Sequence, residues 1–134
     1  MPLTHRGFTW LELLVVCFCV ALLSSWAISS HVSLVQRSQR TQARVALLQA
    51  AHWLERAATV QGRYPAARDI PASVLQVPGL SYQLSVTGDA HSYVLRATPL
   101  GPQSGDPCGT LTLDHRNSQS VENARLTTNT CWGH

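Results

Sequence analysis

The chain has 134 residues, of which 45% are hydrophobic and 13% charged, and it carries a net charge of +3. That length fits one domain, and that composition excludes both a disordered chain and one wholly buried in membrane. Every Lys-or-Arg position is arginine, and the apolar residues are concentrated at the N-terminal end.

From Phe8 to Ile28 the only formal charge is Glu12, with Arg6 just upstream. At about 1.5 Å per helical residue the run reaches roughly 30 Å, the hydrocarbon thickness of a bilayer. Three plain explanations compete for it. A secretory signal would use Ser25-Trp26-Ala27 as its cleavage site. A lipoprotein site at Leu14-Val15-Val16-Cys17 would need a small residue where Val16 stands. A simple membrane anchor needs neither. All three leave Glu12 unexplained, although a carboxylate at mid-membrane costs about 2.5–3.5 kcal/mol on insertion scales. Cys17 and Cys19 are two residues apart, so on a helix they point to nearly opposite sides and read as small apolar packing groups.

Gly7-Phe8-Thr9-Trp10-Leu11-Glu12-Leu13-Leu14-Val15-Val16 resembles the prepilin motif of type IV pilins and pseudopilins. The resemblance implies a leader of residues 1–7, cut after Gly7 by a prepilin peptidase and methyltransferase, and a mature chain that starts at N-methylated Phe8. It implies that Glu12 pairs with the N-terminal amine of a neighbouring subunit, so the buried carboxylate is not orphaned. Ser29 stands where pilins commonly carry a proline, so no proline removes a helix hydrogen bond there.

Neither glycine nor proline occurs from Phe8 to Gln61, which fits a helix running from the membrane into a stalk. Ala43, Leu47, Ala50, Leu54 and Ala57/Ala58 recur every three or four residues, a stripe able to lie on a sheet. The same stretch carries Arg37, Arg40, Arg44 and Arg56. Such a set can attract anionic headgroups or nucleic acid, and a solvated helix face is the simpler reading. Gly62 and Pro65 end the helix, and Pro71, Pro78 and Gly79 mark residues 63–80 as a connecting loop with at most a short turn. Tyr82, Leu84 and Val86, then Tyr93, Leu95 and Ala97, then Leu111 and Leu113 alternate with more polar residues, the period of an antiparallel sheet covered on one face. A fourth strand falls near Gln119–Val121 or Arg125–Thr128. Asn117 takes the turn before it.

Cys108 and Cys131 read, in an exported domain, as a disulfide worth roughly 3 kcal/mol. Asp106 and Asp114 read as solvated carboxylates at loops and strand ends. The scattered histidines have no metal-ligand spacing, and no nucleophile or phosphate-binding motif appears, so neither catalysis nor a cofactor is expected.

Tyr93-Val94-Leu95-Arg96-Ala97-Thr98-Pro99, Gln103, Asp106, Cys108-Gly109-Thr110-Leu111-Thr112-Leu113 and Cys131-Trp132, with Leu47-Leu48-Gln49-Ala50-Ala51 and Glu55-Arg56, resemble PilE-type minor pilins. The resemblance implies an α+β type IV pilin fold, a long N-terminal helix packed on an antiparallel sheet of about four strands. Residues 8–30 would be the transmembrane or filament-core helix. Residues 31–134 would be the soluble head, with helix to about 62, loop 63–80, and sheet and disulfide-bounded loop over 81–134. The implied role is a minor subunit of a type IV pilus, serving assembly, adhesion or twitching motility. Its implied partners are other pilin subunits, an inner-membrane assembly platform and the membrane. The chain would sit in the bacterial inner membrane with a periplasmic head, then in the filament at the cell surface. A type II secretion pseudopilin is one alternative. A DNA-binding pilin for transformation is another, with Arg116 and Arg125 of the disulfide loop as phosphate contacts.

Overall fold

The computed structural model describes residues 9–133, and of residues 26–30 the backbone alone. The chain divides into two compact units at Val35/Gln36. A helix, α1, spans Trp10–Gln61. At its start the Glu12 N–H donates to Thr9 Oγ1 at 3.4 Å, so Thr9 caps the first turn. In the N-terminal unit the apolar side chains from Trp10 to Leu23 are exposed. Among the described residues no helix is long and apolar enough to cross a membrane. The membrane-length run expected from the sequence includes Phe8 and the side chains of residues 26–28, which lie outside what is described.

The second unit is the head. Its part of α1 buries Ala43, Ala46, Leu47, Ala50 and Leu54, the expected stripe with Ala46 added, while Ala57 and Ala58 are half-buried. The helix stops because Gly62 takes φ +72°, its N–H still bonded to the Ala58 carbonyl. The sheet is a meander of β1 (Tyr82–Gly88), β2 (Tyr93–Pro99), β3 (Thr110–Asp114) and β4 (Gln119–Glu122), all antiparallel. Tyr82, Leu84, Tyr93, Leu95, Ala97, Leu111 and Leu113 meet the helix stripe in one core.

Three features go beyond the sequence reading. The segment 63–80 holds three turns of 3-10 helix, Ala67–Asp69, Ala72–Leu75 and Pro78–Leu80, and lends Ile70 and Val77 to the core. On β3, Thr110 and Thr112 are buried as well as the leucines. Arg96 of β2 stands opposite Thr112 in the register and Glu122 of β4 opposite Thr110; Arg96 reaches Glu122 Oε1 at 3.3 Å and also donates to Thr87 Oγ1 at 2.7 Å. A short helix, α2 (Thr128–Trp132), ends the chain. The fourth strand is the first of its two expected positions, and Asn117 makes the preceding turn at φ +61°.

Candidate functional site

The best-connected polar group of the head is Asp106. Its carboxylate receives Arg40 Nε at 3.0 Å and Arg40 Nη2 at 2.5 Å, a bidentate pair from α1. Tyr82 of β1 donates its hydroxyl at 2.6 Å, Gln103 its amide at 2.8 Å and Cys108 its backbone N–H at 2.9 Å. Gln103 reaches on to the Gln36 carbonyl at 3.1 Å. The Asp106 side chain is fully shielded from solvent and that of Arg40 is 11% exposed. Burial works against the carboxylate's charge, yet the bonds from Arg40, Tyr82 and Cys108 outweigh it and hold Asp106 below the usual carboxylate range. Burial first, then Asp106, pushes the Tyr82 hydroxyl up to about 12. Asp106 is therefore not the solvated loop carboxylate expected from the sequence. Its burial comes from a cation one strand-to-helix layer away, more than sixty residues earlier in the chain.

Asp106 also holds the backbone of Cys108, which is joined to Cys131 in a disulfide, both residues buried. The neighbouring Gly109 takes φ +56°, and a Cβ there would lie 2.4 Å from the Glu122 carbonyl oxygen, so a glycine is needed where the chain enters β3 alongside β4. Trp132 donates its indole N–H to the Ser120 carbonyl at 3.0 Å, and Arg44 donates to the Trp132 carbonyl. Higher on the helix, Glu55 Oε1 accepts from Tyr64 at 2.9 Å and Tyr93 at 3.0 Å, with the two rings edge to face at 4.9 Å. Asp114 caps its own turn, accepting from the N–H groups of Arg116 and Ser118. Among the described residues no buried side-chain polar atom lacks a partner, and no cluster of His, Cys, Asp and Glu could hold a metal ion. These groups brace the head.

The four helix arginines therefore part company. Arg40 and Arg44 are spent on the fold, while Arg37 and Arg56 are exposed. Arg63, Arg116 and Arg125 are exposed too, and none of these five forms an ion pair among the described residues. Arg68 lies 3.8 Å from Asp69, both exposed, a pair of small worth. Glu12 is exposed in the first turn of α1. Thr9 and Glu12 have the spacing of a capping box, a signal the sequence reading did not use. Cys17 and Cys19 are free and exposed. Gly7 and Phe8 lie outside the described residues.

A long N-terminal helix whose second half packs on a four-stranded antiparallel meander, closed by a C-terminal disulfide, is the type IV pilin fold. Residues 29–112 match the family model of the type IV minor pilin ComP, DNA uptake sequence receptor, and the chain belongs to that family. A type IV pilin from Shewanella oneidensis is 33% identical, over 63% of this chain and 89% of that one, with a TM-score of 0.50. The non-core minor pilin PilV of Neisseria meningitidis covers 72% of this chain and 95% of its own at a TM-score of 0.55; at 18% identity that likeness is one of fold. No curated protein matches the chain. The chain is thus a minor structural subunit of a type IV pilus, and its partners are other pilin subunits.

Proposed function

We propose that this minor pilin is processed and assembled as its N-terminus implies. Prepilin peptidase removes residues 1–7, Phe8 is methylated, and Glu12 neutralises the N-terminal amine of a neighbouring subunit. The observation that carries this is the exposed apolar surface from Trp10 to Leu23 with Glu12 as its single charge. Such a surface needs lipid around it before assembly and other subunits around it afterwards, and its carboxylate needs a partner once water is gone. The chain then waits in the inner membrane with its head in the periplasm, passes through the assembly platform and ends in the filament at the cell surface. Mass spectrometry of protein extracted from membranes should find a mature start at methylated Phe8. A start at Ile28, after the rival site at Ala27, or retention of Met1 would overturn this processing.

The description of the matched family favours a second role, capture of DNA. Arg37, Arg56, Arg63, Arg116 and Arg125 supply exposed cations that no carboxylate of the described head neutralises. Binding through them is expected to weaken steeply with salt, by a slope of about 0.9 in log K per phosphate contacted. A gel shift of the full chain in detergent, run from low to high salt, measures that slope. No shift at low salt would end the DNA reading and leave the pilus reading intact.

A further inference from the structure

Between α1 and the 3-10 turn Ala72–Leu75 lies a cleft of about 520 Å³, in the size range of small-ligand sites. Four of its residues, Gln49, His52, Trp53 and Arg56, recur at helical spacing and so share one face of α1. Trp53 and Val74 form the floor, each half-buried against the core. Gln49 and Gln76 enter from the two sides, one from the helix and one from the end of the turn. No carboxylate lines the cleft. Beside the apolar Val45 and Leu48 it therefore offers an aromatic surface, two carboxamides and an exposed cation, with no carboxylate to repel an anion.

That combination suits a nucleotide. An indole stacks on any base, carboxamides pair with the donors and acceptors of a base edge, and a guanidinium binds phosphate. An aliphatic peptide anchor would use Val45, Leu48, Trp53 and Val74 and leave both amides and Arg56 to water. We propose that this cleft is a subsite for an unpaired, overhanging nucleotide of bound DNA. Trp53 stacks on the base, Gln49 and Gln76 contact its edge, and Arg56 holds its phosphate. The subsite rests on the DNA reading above and adds to it a place for a base, where the scattered arginines offer contacts to the backbone only.

The test uses the full chain in detergent micelles and the fluorescence anisotropy of two labelled probes: a blunt duplex, and the same duplex with a short single-stranded overhang. The wild type should bind the overhang probe roughly tenfold more tightly, the scale of stacking one base. Gln49→Ala, at an exposed helix position, and Trp53→Ala should each shrink that preference while leaving blunt-duplex affinity within about twofold, since neither residue carries charge. Circular dichroism establishes that each variant is folded, and Gln49→Ala carries the test if Trp53→Ala is not. Equal affinity of the wild type for the two probes would overturn the subsite and leave duplex binding standing. So would an overhang preference that survives in the folded variants; pilus loss in those variants would then assign the cleft to a neighbouring pilin. Binding of neither probe at low salt would remove the DNA reading itself, and the subsite with it.

Discussion

Asp106→Ala should lower the stability of the head by about 3–5 kcal/mol, the usual cost of removing one partner from a buried ion pair. The change strands Arg40, whose side chain is 11% exposed, and it strips acceptors from Tyr82, Gln103 and the Cys108 N–H. Each buried donor left without a partner adds its own desolvation cost. Against a typical total of about 5–15 kcal/mol, this is a large fraction. Asp106→Asn keeps the volume and one acceptor oxygen but places an amide against the guanidinium, so it should fall between wild type and alanine. Urea unfolding followed by circular dichroism checks the order. An alanine variant within about 1 kcal/mol of wild type would mean that the pair is not what fastens the loop to the helix.

The same carboxylate makes the head acid-sensitive, with a definite sign. Its folded pKa lies below the ordinary value, so the unfolded chain takes up the proton first as pH falls. Its contribution is fully present above the unfolded value of about 3.9 and is lost as pH drops through the folded pKa. Wild-type stability should therefore decline below about pH 4, and Asp106→Asn should show a shallower decline over that window. Some slope remains in the variant, because Asp89 is also held low by the N–H groups of His91 and Ser92 in its turn.

The helix, its stop at Gly62 and the alternating strands were legible in the sequence because each is written in local spacing. The stripe from Ala43 to Leu54 has a period of three to four, and Leu95, Ala97, Leu111 and Leu113 sit on a period of two. Asn117 was legible as a turn because it is among the residue types that tolerate positive φ. What escaped was long-range. Arg40 looks like Arg37 in the sequence, and only the packed fold sets one against Asp106 and leaves the other in water. Thr110 and Thr112 keep the strand period but are buried, on a strand with a neighbour on each side and opposite Glu122 and Arg96, which are paired across it. α2 is five residues long, too short to show a helical period, and its one local mark is Thr127, whose side chain caps it at Thr130.

Replacing Cys108 and Cys131 together by serine should cost about 2–5 kcal/mol, and the loss should be local where that of Asp106→Ala is global. β3 keeps its place without the disulfide, since Leu111 and Leu113 are fully buried in the core. From Asn123 to Thr130 almost every residue is exposed or half-buried, so this stretch has little apolar burial of its own. Besides the disulfide it is tied down by the Arg125 N–H on the Pro107 carbonyl at 2.7 Å, by Trp132 on Ser120 and by Arg44 on Trp132. Those bonds are each worth about 1 kcal/mol net, and the buried Trp132 anchors only the far end, so residues 123–130 open once the chain entropy is freed. Trypsin should therefore cut after Arg125 in the double variant at concentrations that spare the wild type, while the core from β1 to β3 stays protected. Equal resistance at Arg125 in both proteins would show that Trp132 and Arg44 suffice as anchors. The two perturbations are also coupled, because Asp106 holds the Cys108 N–H: combining Asp106→Ala with the cysteine pair should destabilise by less than the sum of the separate effects.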